Sequence, residues 1–302
     1  MDYTQKIEIA EVCPRDGWQN HPVPIDTDTK IELIRKMMDC GPKRIEVTSF
    51  VNPKAVPQMA DNARVVDGVR EYAREKGVTL IGLALNGRGV DNARAAGLTH
   101  VSFGVSVSEE HNLRNSNKTI EASFEDFRKI MDRAQGMNVL LALPCTFGSP
   151  FGDAIDLDRV LRMCEEAKAM GVKEFGLADT AGISNPRHTR EVLRYLKDGG
   201  LDFSQVSIHL HDTRGMGLAN AWIALEEGIT HFDASLGGMG GCPFVPGAKG
   251  NIATEDLVNM VSQMGMETGY DLDAAIALAV DMGGRIQAKL SSSMSSLCKK
   301  GH

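Results

Sequence analysis

A single unit recurs along this sequence: a short apolar, β-branched run, then a stretch of helical periodicity, then a glycine just ahead of the next run. The strand-like runs fall at residues 6–12, 44–48, 79–85, 100–106, 138–143, 173–178, 205–210 and 231–236. Glycine closes the intervening helices at Gly41, Gly77, Gly97, Gly171 and Gly228, where a residue free to take left-handed φ ends a helix. Eight strand–helix units with capped returns predict an α/β protein of the (β/α)8 TIM-barrel class. The competing doubly wound sheet lacks its signature, because no helix after the first run opens with Gly-x-Gly-x-x-Gly. Residues 255–264 predict the last barrel helix, 271–290 an added amphipathic helix, and 291–302 a mobile tail. One barrel domain over residues 1–302 is expected, with 271–302 as its helical extension and flexible tail.

Composition narrows the function. The chain of 302 residues is 42% hydrophobic and carries a net charge of −7, whereas nucleic acid and membrane surfaces both demand a basic face. Neither is expected as a partner. No apolar run approaches the roughly 20 residues of a membrane span, and the first residues lack a basic, apolar leader, so a cytoplasmic protein is expected. Cys13, Cys40, Cys145, Cys164, Cys242 and Cys298 show no Cys-x-x-Cys pairing and are expected to be free thiols.

Barrel enzymes keep their chemistry at the C-terminal ends of the strands, and the polar candidates fall there. His209 and His211 lie two apart on the seventh run, so both project from one face. Arg15 and Asp16 follow the first run, Glu46 and Thr48 close the second, Asp179 follows the sixth, and Cys242 and Asn251 follow the eighth. Asp16, His209, His211 and Asn251 offer two oxygens and two nitrogens to one divalent cation. Such a set favours Mg2+ or Mn2+, while the imidazoles keep Zn2+ and Co2+ open. Glu46 and Asp179 read either as carboxylates orienting a ligand histidine or Arg15, or as ion pairs of the rim. The stretch 237–251 holds six glycines, which suits a lid that approaches a ligand closely. Cys242 on it reads as a thiol acting on substrate or as a free structural thiol.

These residues sit in motifs that resemble 3-hydroxy-3-methylglutaryl-CoA lyase: Glu11-Val-Cys-Pro-Arg-Asp-Gly-Trp-Gln-Asn20, the stretch 46–61, His209-Leu-His-Asp-Thr213, and Gly240-Gly-Cys-Pro243 with Gly250-Asn251 downstream. The likeness runs from the first strand to the last barrel helix, and the Gly-Gly-Cys-Pro loop is its most specific part. It implies a metal-dependent retro-Claisen cleavage of an acyl-CoA. In that reading Asp16, His209, His211 and Asn251 hold the metal, Arg15 steadies the thioester enolate, and Cys242 protonates the departing carbanion. Either His209 or Asp16 takes the substrate hydroxyl's proton. A homo-oligomer, dimer or tetramer, is expected, and Cys298 resembles a C-terminal thiol that in some members links subunits.

The chain departs from the family pattern at Cys13, Trp18, His21-Pro22, Ala55 and Arg214-Gly-Met216. Trp18 and Arg214 are therefore candidate selectors of the acyl group, with citramalyl-CoA as the alternative substrate. Lys54, Arg88 and Lys249 are loop cations for the CoA phosphates, each equally readable as a solvated charge. A Claisen-type condensing synthase would share the metal and the arginine but typically carries an added regulatory domain. A non-catalytic barrel would be expected to lack one of Arg15, Asp16, His209, His211 or Cys242.

Overall fold

Local chemistry sets where the helices start and stop. Asp26, Asn86, Ser108, Thr119, Asp156, Asn185 and Asp271 each accept the amide three residues on, as helix N-caps do. At the other ends Gly77 and Gly228 hold the left-handed backbone (φ 66° and 103°) that frees the chain to turn into the next strand. The computed structural model describes residues 5–241 and 249–298.

The strands are β1 (Glu8–Glu11), β2 (Arg44–Ser49), β3 (Thr79–Leu83), β4 (His100–Gly104), β5 (Asn138–Leu143), β6 (Glu174–Asp179), β7 (Val206–Leu210) and β8 (His231–Ala234). All pair in parallel in sequence order, and β8 returns to β1 to close the barrel. Around them run α1 (Thr27–Asp39), α2 (Asn62–Lys76), α3 (Gly87–Ala95), α4 (Glu109–Ser116), α5 (Ile120–Arg133), α6 (Leu157–Ala169), α7 (Pro186–Asp198), α8 (Gly217–Glu227), α9 (Thr254–Gln263), α10 (Leu272–Arg285) and α11 (Ser293–Cys298).

The expected TIM barrel is therefore present, and each strand falls within about two residues of its sequence reading. Two elements differ from expectation. The β4–β5 crossover holds two helices, because Ser108 and Thr119 each cap a separate start. In the segment expected to be a mobile tail, α11 forms, with the Ser293 and Met294 amides on the Asp256 carboxylate at 2.8 Å each. A carboxylate on two orphan amides is sufficient to start a helix, and Asp256 is supplied by α9, which no local pattern reveals.

The apolar core is a ring between sheet and helices: Ile9, Ile45, Val101, Leu141, Phe175, Ile208 and Phe232 point outward and pack on Leu33, Val66, Phe127 and Leu193. Facing the barrel axis, beside apolar Ile81 and Leu140, are the small or polar residues Glu46, Ser102, Gly176, Ser207, His209 and Asp233, so the centre can hold charge. Register decides which of them meet: His209 pairs with Asp233 across β7 and β8, and a slip between Glu46 and Thr48 distorts β2 beside the carboxylate of the site. No helix of the described residues is long and apolar enough to cross a membrane.

Candidate active site

Directly after β1 the chain makes one turn of π-helix, Cys13–Gly17, in which the amides of Arg15, Asp16 and Gly17 all converge on the Val12 carbonyl at 3.2, 2.8 and 3.4 Å. This turn sends Arg15 and Asp16 over the barrel mouth. Arg15 is then pinned between two carboxylates, 2.5 Å from Asp16 Oδ1 and 2.5 Å from Glu46 Oε2. Glu46 in turn accepts the Ser102 hydroxyl at 2.6 Å. Burial opposes charge on Arg15, but Glu46 and Asp16 outweigh it and hold the guanidinium firmly protonated.

His209 and His211 leave β7 on one face with their Nε2 atoms 3.2 Å apart. The Asp233 carboxylate takes His209 Nδ1 at 3.1 Å, which orients the ring and leaves Nε2 for the centre. Burial favours neutral His209, yet Asp233 and Asp16 together raise its pKa above the ordinary value. Asp16 Oδ2 lies 3.7 Å from His211 Nε2. Burial alone would raise the Asp16 pKa, but Arg15 and the two histidines drive it well below the usual carboxylate range.

Asn251 arrives by backbone pairing. Residues 250–252 run antiparallel to the end of β7, with Asp212 N–H on the Gly250 carbonyl at 2.8 Å and Ile252 N–H on the Leu210 carbonyl at 3.0 Å. Its Nδ2 donates to Asp16 Oδ2 at 2.7 Å and to the Met239 carbonyl at 2.9 Å. That leaves Oδ1 a buried acceptor with no partner among the described residues. Gly240 makes room for this amide: at φ +126° a Cβ there would lie 2.5 Å from Asn251 Nδ2.

One ligand atom each from Asp16, His209 and His211 lies within 4.8 Å of the others, a grouping able to hold a metal ion. A carboxylate, two imidazoles and an orphaned amide oxygen fit a hard or borderline divalent cation.

The remaining sequence candidates divide. Glu46 forms an ion pair with Arg15. Asp179, fully buried, accepts the amides of Ile183 and Ser184 at 3.1 and 3.0 Å, and burial raises its pKa against those amides and the charge of His211. Trp18 is 0% exposed within the core, so its indole faces no substrate, contrary to expectation; it follows the π-turn and points inward with the apolar side of that turn. Arg214 stands exposed just past the ligands, its Nη1 3.4 Å from the Ile183 carbonyl. Lys54, Arg88 and Lys249 are exposed after β2, β3 and β8, and Lys249 lies 4.0 Å from Asp212. Cys242 lies outside the described residues. Cys13, Cys40, Cys145 and Cys164 are buried thiols, and burial pushes those of Cys40 and Cys164 up to about 12. The sequence reading missed Asp233, Ser102, the Met239 carbonyl and Glu11. For Asp233 a signal existed, since it alternates with Phe232 and Ala234 on a strand next to the histidines.

Comparison with known proteins gives the family of the chain. Residues 6–281 match the family model described as HMGL-like. A hydroxymethylglutaryl-CoA lyase of Bacillus subtilis is 41% identical over 281 residues, 92% of this chain and 93% of the relative. An (R)-citramalyl-CoA lyase of Chloroflexus aurantiacus is 39% identical over 286 residues, 90% of this chain and 89% of the relative. Among solved structures, an HMG-CoA lyase from Acinetobacter baumannii in complex with coenzyme A and 3-methylmalate superposes with a TM-score of 0.91 at 37% identity, covering 98% of this chain and 96% of that one.

Proposed function

The chain belongs to the HMGL-like family, and from that premise we propose that it is a carbon–carbon lyase cleaving 3-hydroxy-3-methylglutaryl-CoA to acetyl-CoA and acetoacetate. The observation that carries the reading is the meeting of Asp16, His209 and His211 within 4.8 Å, beside an arginine already fixed by two carboxylates. Asp16, His209, His211 and Asn251 would hold a divalent cation, Mg2+ or Mn2+ ahead of Zn2+ or Co2+. When bound, such an ion supplies a Lewis acid for the substrate's oxygens.

The residues of the chain divide the rest of the work. His209 or Asp16 takes the proton of the tertiary hydroxyl, and the electron pair of that O–H bond forms the new carbonyl as the C–C bond breaks. The pair from the broken bond passes into the thioester, where Arg15, its orientation set by Glu46, stabilises the enolate oxygen. Cys242 then gives its proton to the carbon that becomes the acetyl methyl group. Lys54, Arg88 and Lys249 supply rim charge for the CoA phosphates. The protein is read as a cytoplasmic homo-oligomer.

A second acyl group, citramalyl, is supported by the 39% identity to the citramalyl-CoA lyase and by Arg214 standing past the ligands. The deciding experiment is a cleavage assay over a panel of 3-hydroxyacyl-CoA thioesters with Mn2+ and with Mg2+, products identified by mass. Acetyl-CoA and acetoacetate from the hydroxymethylglutaryl thioester are expected. Release of pyruvate from citramalyl-CoA in their place would transfer the assignment, and no cleavage of either would sink it. A Cys242→Ser variant is expected to bind Mn2+ normally and to turn over about 100- to 10,000-fold more slowly, the range for losing a general acid.

A further inference from the structure

The turn after β8 is gripped by groups that take no part in the chemistry. Glu11, fully buried on β1, accepts the Cys13 and Leu236 amides on Oε1 at 2.9 and 3.0 Å and the Thr254 hydroxyl on Oε2 at 2.8 Å. Glu255 on α9 accepts the next amide, that of Gly237, at 3.0 Å, and the Ser295 hydroxyl at 2.5 Å. Ser291 takes the other side of the same turn: its amide donates to the Gly237 carbonyl and its hydroxyl to the Gly238 carbonyl, each at 3.0 Å. Consecutive amides are thus held by two carboxylates and consecutive carbonyls by one serine.

The fit is close. Gly237 and Gly238 have φ +71° and +66°, and a Cβ on them would lie 2.7 Å from Leu290 Cδ2 and 2.2 Å from Ser291 Oγ. One residue further on, the Met239 carbonyl receives the Asn251 amide, and Gly240 lies against the same side chain.

We propose that residues 290–295 form a positioning strap for the candidate metal site. Ser291 touches neither ligand nor substrate; it fixes the turn whose Met239 carbonyl orients Asn251. Docking of α11 is provided for separately by the Asp256 cap, so packing of the C-terminal helix does not require both polar groups of Ser291 on adjacent carbonyls of this turn. The strap's effect on metal rests on reading Asn251 as a ligand, whereas its hold on the turn does not.

The test uses the full chain, with Ser291→Ala, which keeps the amide but loses the hydroxyl, and Ser291→Thr, which keeps both. Losing one such hydrogen bond is expected to speed deuterium exchange of the segment 236–241 by roughly fivefold, with a peptide covering β7 unchanged. Calorimetric Mn2+ affinity, measured without substrate, is expected to weaken by roughly two- to fivefold, since only part of the bond's contribution reaches Asn251. Ser291→Thr should restore both readings, and Leu297→Ala on the exposed side of α11 should leave both at the parent value. Parent-like exchange and parent-like Mn2+ affinity in Ser291→Ala, even with a lowered melting temperature, would overturn the strap. If the parent chain itself binds no Mn2+, the ligand reading falls, and the exchange arm alone decides the strap, an unchanged rate overturning it.

Discussion

The candidate metal site is assembled from two kinds of backbone. His209 stands on β7 and His211 follows one residue beyond its end, so that strand spacing aims both rings to one side and register places Asp233 behind the first. Asp16 and Asn251 come from irregular backbone, one from a π-turn whose three amides share a single carbonyl, the other from a loop paired briefly to the end of β7. A strand holds its ligands with the ladder bonds it already has. An irregular segment needs dedicated ties, and here they are Glu11, Glu255, Ser291 and the Met239 carbonyl.

The contrast can be broken from either side. The largest effect is expected from removing a ligand: His209→Ala or Asp16→Ala should each lower Mn2+ affinity by more than about 100-fold, since loss of mere outer partners already costs 10- to 100-fold. Calorimetry on the two variants reads this directly, and a variant retaining parent affinity would remove its residue from the coordination set.

Next comes the buried carboxylate under the irregular pair. Burial, against three donors, raises the Glu11 pKa from 4.5 to about 7. Folding therefore takes up a proton between those values, so the contribution is fully present below pH 4.5 and is lost as pH rises through 7. Relative to Glu11→Gln, which cannot ionise, the parent should lose about 3 kcal/mol of stability across that window. Denaturant melts at pH 4.5, 6 and 8 measure the change, and a flat difference would show that Glu11 keeps its charge.

Smaller effects distinguish the supports. Asp233→Asn should weaken Mn2+ binding about 10- to 100-fold by freeing the His209 ring. Gly240→Ala, which drives a Cβ toward Asn251 at a strained φ, should cost roughly tenfold. If Gly240→Ala exceeded Asp233→Asn, the loop rather than the strand would be the more demanding half of the site. The smallest expected change is a few-fold shift in the ratio of kcat/KM between hydroxymethylglutaryl- and citramalyl-CoA on Arg214→Tyr, about what one pocket contact contributes. An unchanged ratio would leave Arg214 to the solvent.

Legibility followed the same division. The barrel and its strand boundaries could be read because apolar period and glycine caps are local, and His209 and His211 could be read because their spacing is the strand period itself. Asp16, Arg15 and Asn251 were named from motif and position at strand ends, but of their ties only the Glu46 carboxylate was among the readings. Glu11 and Ser291 lie 280 positions apart and meet on one turn, which no spacing announces. Trp18 was a candidate selector because it departs from the family pattern, and it lies in the core just after the π-turn. Asp179, read either as a carboxylate orienting a ligand histidine or Arg15 or as an ion pair of the rim, accepts two amides of its own following loop.

What this chain's residues determined unaided was the number of strand–helix units, the rim on which its polar groups gather, and a pair of imidazoles on one face, since each follows from backbone periodicity and from where chains turn. Tertiary structure decided which carboxylate backs which histidine, how Arg15 is aimed, and what holds the turn beside Asn251. Those contacts join side chains distant in sequence through register and burial, and such contacts exist only once the barrel has closed.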